Sequence, residues 1–324
     1  MKDFYIIALL GLLLSLAAVV LVMPIFIKVL KNHNINQSVS EYALDEYKKK
    51  EKTPIMGGLL FVVLPLIVFF VIDPTAIKDE KTLMIVISFV SFCLVGFIDD
   101  LLIIIRKDNN GLSPKIKLIM EFIFVVAIYF IFRESISNSI AIPFINGGIC
   151  LPWYIFLPFM ILLYLAEANA VNFTDGMDGL CAGVSLIALV PFVIFTFIAK
   201  NYHSLMLILC VIGGLIGYLF FNFYPARIFM GDSGSLALGG LFASLAISLD
   251  AEILLFVIGG VFVWEMFCVC LQLTCVKLFK KRVFSYTPIH YAFVLKGKKE
   301  TKVVSMFYII GLILAIIGTY IGLK

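Results

Sequence analysis

"FYIIALLGLLLSLAAVVLVMPIFI" occupies residues 4–27 and contains no charged side chain. As an α-helix, at about 1.5 Å per residue, this stretch exceeds the roughly 30 Å hydrocarbon core of a bilayer. It is too long for a signal-peptide core, and no small-residue cleavage site follows it, so it reads as a retained transmembrane helix. Comparable apolar runs recur along all 324 residues, and the chain is 62% hydrophobic and 14% charged. With a mean hydropathy of +1.10, the sequence excludes a soluble globular domain.

The expected fold is therefore an all-α integral membrane protein, one polytopic domain over residues 1–324. Ten helices are predicted, at 3–28, 55–72, 82–105, 115–132, 153–169, 179–199, 203–221, 233–249, 252–278 and 303–323. Between the fourth and fifth lies "SIAIPFINGGICLP" (139–152), in which β-branched residues flank Asn-Gly-Gly. That pattern predicts a small β-hairpin. Of the 25 lysines and arginines, 19 fall in or beside the loops after odd-numbered helices. The positive-inside rule then puts those loops in the cytoplasm, both termini outside and the hairpin on the outer face. The seven cysteines form no CxxC pair, which argues against a disulfide framework or a zinc site. The basic residues are explained by topology, so no nucleic-acid partner is expected.

Every unusual polar cluster falls on the predicted cytoplasmic side. The clusters are "YKKKEKTPIMGG" (47–58), "GFIDDLL" (96–102), "NAVNFTDGMDGL" (169–180), "NFYPARIFMGDSGSLALGG" (222–240) and "SYTPIHYAFVLKG" (285–297). Five loops spread along the sequence are expected to converge on one cytoplasmic active-site cleft. Asp99 and Asp100 read as the end of the third helix, about 100° apart, with one facing the cleft. A carboxylate at a helix C-terminus opposes the helix dipole, so the pair calls for a cation. Asp175 stands where the N-cap of the sixth helix is predicted, and Asp178, three residues on, shares its face on a helical turn. Asn169, Asn172 and Asn222 add amides, and Gly176 allows close backbone approach.

"MGDSGS" opens the eighth helix, with Asp232 as the predicted N-cap beside glycines, a phosphate-binding arrangement. Carboxylates beside phosphate-binding backbone suggest Mg²⁺ bridging protein and diphosphate. Lys50 and Lys115 are candidates to neutralise phosphate, although membrane topology alone also explains the lysine run at 48–50. Phe229 fits stacking on a planar base or core packing equally well. These features together predict a Mg²⁺-dependent, phosphate-handling site at a membrane surface.

"TPIMGG", "GFIDD", "NAVNFTDGMDGL", "FMGDSGSLALGG" and "PIHYAFVLKG" resemble, in order and over nearly the whole chain, the polyprenyl-phosphate N-acetylhexosamine-1-phosphate transferase superfamily. The resemblance is greatest to its phospho-N-acetylmuramoyl-pentapeptide transferase branch. It implies transfer of phospho-MurNAc-pentapeptide from UDP-MurNAc-pentapeptide to undecaprenyl phosphate, giving lipid I and UMP in the bacterial cytoplasmic membrane. Mg²⁺ dependence and a homodimer are implied as well. The resemblance makes Asp99, Asp100, Asp232 and His290 the catalytic candidates, with Asp232 on the metal. It places Lys50, Lys115, Asn169, Asn172, Asp175, Asn222 and Phe229 in the substrate site, and Gly176, Met177 and Asp178 along uridine. Two departures stand out. The family's triple histidine is His290-Tyr291-Ala292 here, and Lys-Glu-Lys precedes Thr53 where a glycine is usual. A UDP-GlcNAc-1-phosphate transferase and a transporter are the competing readings. The predicted interfacial position of the acids and the lack of an internal repeat count against the transporter.

Overall fold

The computed structural model describes residues 2–33, 35, 53–106, 111–144 and 147–324. Its helices are α1 (Lys2–Asn32), α2 (Gly58–Ile72), α3 (Glu80–Arg106), α4 (Pro114–Ile131), α5 (Trp153–Thr174) and α6 (Leu180–Ile198). They continue as α7 (Tyr202–Asn222), α8 (Asp232–Ser248), α9 (Glu252–Ile258), α10 (Gly260–Phe279), α11 (Ile289–Leu295) and α12 (Glu300–Gly322). Among the described residues, α1, α3, α5, α6, α7, α10 and α12 are long and apolar enough to cross a membrane, and α2 is a shorter apolar helix. The outward surface carries large apolar side chains such as Leu21, Val71, Leu162 and Leu273. A solvent of lipid accommodates that surface, and helices satisfy their own backbone groups within it.

The predicted hairpin is present between α4 and α5. Strand β1 (Ser139–Ile140) pairs antiparallel with β2 (Ile149–Cys150), Ser139 opposite Cys150 and Ile140 opposite Ile149.

The centre of the protein is α8, in which every residue from Ser233 to Ser248 is buried. Its sequence, DSGSLALGGLFASLAIS, is rich in small side chains, which let neighbouring helices approach closely. Gly239 lies on the backbone of Ala168 in α5, and Gly240 on the ring of Phe92 in α3. The middle of α8 is thereby held between α3 and α5.

Three helix boundaries that bear on the site differ from the sequence reading. The fifth helix, predicted to end at 169, runs to Thr174, so Asn169 and Asn172 lie on α5. The apolar stretch 252–278 is two helices, α9 and α10, which meet at Gly259. The Gly259-Gly260 pair is a weak point in a helix interior. Helix α3 continues to Arg106, so Asp99 and Asp100 lie within it, in its last two turns, and do not end it.

Candidate active site

Asp99 and Asp100 are neighbours on α3, yet they do different things. Asp100 is fully buried and its carboxylate sits across the head of α8. One oxygen accepts a hydrogen bond from Asp232 N and the other from Ser233 N, both at 3.0 Å. A helix start leaves its first amides without intrahelical partners and carries a partial positive charge. Asp100 satisfies two of those amides from another helix. The approach is permitted by Gly96, where a Cβ would overlap the Asp232 carbonyl. The residue in the N-cap position is Gly231, so the predicted capping role of Asp232 passes to Asp100. Asp232 is instead the first residue of α8.

Asp99 accepts a hydrogen bond from Leu112 N at 2.8 Å and pairs with Lys117 Nζ at 3.3 Å. The same ammonium donates to Asp232 Oδ2. Asn172 donates from Nδ2 to Asp232 Oδ1 at 2.8 Å and to Ser235 Oγ at 3.0 Å. Helices α3, α4, α5 and α8 thus deliver one polar group each to a single point. Carboxylate oxygens of Asp99, Asp100 and Asp232 lie within 4.8 Å of one another. A cation relieves the repulsion of like charges so close, and Lys117 lies between two of them.

Lys117 was not among the residues singled out from sequence. The predicted Lys115 is exposed, while Lys117 is half-buried. Ser113 caps α4 and Pro114 opens it, which fixes the helical phase. Lys117 and Glu121 are then four apart on one inward face. Glu121 is fully buried and accepts from Asn169 Nδ2 at 3.1 Å. Asn169 also donates to Leu165 O at 2.8 Å. The structure therefore brings Asn169 to Glu121, one turn along α4 from the ammonium.

Residues 175–179 form a turn, not helix. Asp175 is the C-cap of α5, and the N-cap of α6 is Gly179. The predicted helical face shared by Asp175 and Asp178 does not exist, because Asp175 to Gly179 leave helical geometry before α6 starts. Asp178 is buried; its Oδ2 accepts from Ala226 N at 2.9 Å, and its N donates to Glu300 Oε1 at 2.9 Å. Asn222 accepts from Gly179 N at 2.9 Å and donates to Ile228 O at 3.0 Å. Tyr308 donates to Gly179 O at 2.6 Å. Met177 is buried and Gly176 half-buried. Burial, then the charges of Asp232 and Asp178, push the Asp175 carboxyl up to about 8.

Phe229 is half-buried in a strip of chain held by the 53–58 segment. Its N donates to Pro54 O and its O accepts from Gly57 N, both at 2.8 Å, and Gly58 N donates to Met230 O at 2.8 Å. Lys50 and the neighbouring Lys48 and Lys49 lie outside the described residues.

Residues 82–250, which carry Asp99, Lys117, Asn172 and Asp232, match the family description "Glycosyl transferase family 4". Over nearly its full length the chain is also similar to proteins named phospho-N-acetylmuramoyl-pentapeptide-transferase. That of Staphylococcus carnosus is 39% identical, over 98% of this chain and 99% of its own. That of Shouchella clausii is 40% identical, over 96% of each, and that of Clostridium beijerinckii 39%, over 91% and 90%. The chain belongs to the phospho-N-acetylmuramoyl-pentapeptide transferase family. It is a phosphosugar-transferring enzyme.

The transferase departs from the family's triple histidine at 290–292, and the structure gives each replacement a place. Pro288 is the N-cap of α11, and the short helix places His290 against Gly176 of the 175–179 turn. His290 is fully buried and lies outside the acidic cluster. Its Nδ1 hydrogen-bonds Glu265 Oε1 at 3.1 Å. Its Nε2 faces Gly176, where a Cβ would overlap it. Tyr291 donates from its hydroxyl to Gly176 O at 2.8 Å, and Ala292 is buried in the core.

The donor set suits a small hard cation. Carboxylate oxygens are the ligands Mg²⁺ prefers, and it keeps positions for phosphate and water. Both oxygens of Asp100 are spent on backbone amides of α8, whereas Asp232 and Asp99 face the exchangeable Lys117 ammonium, so these two are the carboxylates best placed to hold an ion. The ammonium of Lys117 marks the point where positive charge is stabilised.

Proposed function

We propose that this chain transfers phospho-MurNAc-pentapeptide from UDP-MurNAc-pentapeptide to undecaprenyl phosphate, forming lipid I and UMP. The observation that supports the reading best is the convergence of Asp99 and Asp232 on one cation at the head of a buried helix, in a chain of this family. A phosphate oxygen of the lipid attacks the β-phosphorus of the UDP sugar. The bond from that phosphorus to the bridging oxygen breaks, and UMP leaves with the electron pair. One phosphoanhydride replaces another, so catalysis rests on positioning and on neutralising charge.

In this reading Asp232 and Asp99 hold Mg²⁺, which supplies charge neutralisation at the diphosphate. Lys117 contributes a second positive charge, and Lys115 and Lys50 neutralise charge from nearer the surface. Asn172 orients the Asp232 carboxylate, and Asp100 fixes the α8 head on which Asp232 stands. Gly176, Met177 and the Phe229 ring line uridine. Base stacking elsewhere is worth about 1–3 kcal/mol, so Phe229→Ala should raise KM for the UDP sugar and spare that for the lipid.

The proposed setting is the bacterial cytoplasmic membrane, with ten spans, both termini outside, the hairpin on the outer face and the acidic cluster at the cytoplasmic face. A single catalytic domain working as a homodimer completes the reading. The test is UMP release by the purified protein from UDP-MurNAc-pentapeptide and undecaprenyl phosphate, with and without Mg²⁺. Mg²⁺-dependent UMP release is expected. Release from UDP-GlcNAc alone, or none from either sugar nucleotide, would contradict the assignment.

A further inference from the structure

Glu265 has no part in the acidic cluster, yet it is fully buried on α10. A buried carboxylate is tolerated only when its oxygens are engaged. Both are, and both partners lie at the start of α11. Oε2 accepts from Ile289 N at 2.7 Å, and Oε1 hydrogen-bonds His290 Nδ1 at 3.1 Å. Gln272 follows seven residues later, two turns along the same face of α10. Its side chain accepts from Val283 N and Phe284 N at 2.9 and 3.0 Å and donates to Phe284 O at 3.0 Å. Helix α10 therefore grips the segment 283–290 at two points.

The grip continues from α11 to the 175–179 turn. A carboxylate accepting at Nδ1 sets the imidazole's tautomer and direction, placing the proton on Nδ1 and the lone pair on Nε2. That Nε2 is buried without a hydrogen-bond partner and abuts Gly176, so the ring fills the space a Cβ would take. The neighbouring Tyr291 hydroxyl holds the Gly176 carbonyl. The two rings lie 4.3 Å apart, centroid to centroid.

We infer that Glu265 is a positioning residue for the sugar-nucleotide end of the site, acting through the His290 ring on the backbone of Gly176. The inference rests on the reading of the 176–178 turn as a uridine contact. It assigns Glu265 no contact with substrate. Its effect is to hold the imidazole at one angle, and the turn against it.

The test joins a binding measurement to a spectroscopic one, in full-length protein in detergent. UDP is the probe for binding. The histidine tautomer is read by ¹⁵N resonance. The chain has three histidines, and the His290 signal is identified by its loss in His290→Gln. In the wild type, His290 is expected as the Nδ1–H tautomer. In Glu265→Ala the ring should lose that preference and UDP affinity should fall about tenfold, the scale set by leaving the buried His290 Nδ1–H without its acceptor. KM for the lipid phosphate should stay within about twofold, well below the 1.4 kcal/mol that a tenfold change represents.

Glu265→Gln keeps the shape but offers one acceptor oxygen for two donors, so its affinity should lie between those of wild type and alanine. This variant decides the matter if the alanine protein does not fold. An unchanged tautomer in the folded variants would overturn the inference. So would an altered tautomer with wild-type UDP affinity, since Glu265 would then only support the fold. Neither the tautomer nor the UDP affinity needs turnover, so failure of the proposed reaction is seen separately, as absence of UMP release by the wild type.

Discussion

The acidic cluster at the head of α8 and the 175–179 turn are neighbours built on opposite plans. In the cluster, the groups around the ammonium are side chains: Asp99 and Asp232 share Lys117, and Asn172 holds Asp232, while Asp100 alone is spent on the backbone of α8. In the turn, side chains hold backbone: Asp178 holds Ala226 N, Asn222 holds Gly179 N, and Tyr291 and Tyr308 hold the carbonyls of Gly176 and Gly179. A carboxylate facing an ammonium can exchange it for another cation, whereas a carboxylate spent on a buried amide cannot be released without leaving that amide unpaired. The first plan suits chemistry and the second suits shape. One stretch, "NAVNFTDGMDGL", serves both, since Asn172 belongs to the cluster and Asp178 to the scaffold.

The contrast breaks most sharply on the cluster side. Asp99→Asn should lower kcat by about 10²–10³, the scale of losing one preorganised electrostatic group, with a melting temperature close to wild type. A stable, fully active variant would remove Asp99 from the site. Lys117→Met should cost less turnover, on the order of tenfold to a hundredfold, because a bound metal supplies part of the same charge. It should lose more than Lys115→Met, which removes an exposed side chain; equal losses would erase the distinction between the two lysines.

Asp100→Asn sharpens the comparison from within the acidic pair. An asparagine offers one acceptor oxygen where two α8 amides need partners, so stability should fall by about 1–3 kcal/mol. Denaturant melts should show that loss, with activity falling alongside, whereas Asp99→Asn loses activity alone. A pH dependence of stability is expected as well. Asp175 has a folded-state value raised to about 8 from 3.8, so the folded protein keeps a proton that the unfolded chain releases. The stability from this group is complete below about 4 and is lost as pH rises through about 8. Melts in chelator should fall over that window, and Asp175→Asn should flatten the fall. An identical slope in the variant would assign the dependence elsewhere.

Much of this was legible from the sequence, because a membrane chain advertises its helices as apolar runs and its site as interruptions to them. Asp99, Asn172 and Asp232 came together as expected, although they stand on helices and not on the loops the sequence suggested. The break at Gly259 was hidden because both flanks are equally apolar, so hydropathy has no minimum there. Lys117 was legible in principle: the Ser113-Pro114 start sets the phase of α4 and puts Lys117 above Glu121. The capping role of Asp100 was not legible, since it depends on the head of α8, more than a hundred residues away. The same holds for Glu265, an acid in an apolar helix whose partners are fixed only when α11 folds against the turn.

The account's central claim is that chemistry resides in the cluster and shape in the turn. Its most direct test is UMP release by Asp232→Asn and Asp178→Asn, assayed together at saturating substrates across a Mg²⁺ titration. The account predicts that Asp232→Asn melts like the wild type and loses about 10³ in turnover at ordinary Mg²⁺. Asp178→Asn should melt lower, yet keep kcat within about tenfold while it is folded, the scale of weakening one scaffold hydrogen bond. Wild-type turnover in Asp232→Asn, or an Asp178→Asn protein that melts normally and is equally inactive, would contradict it.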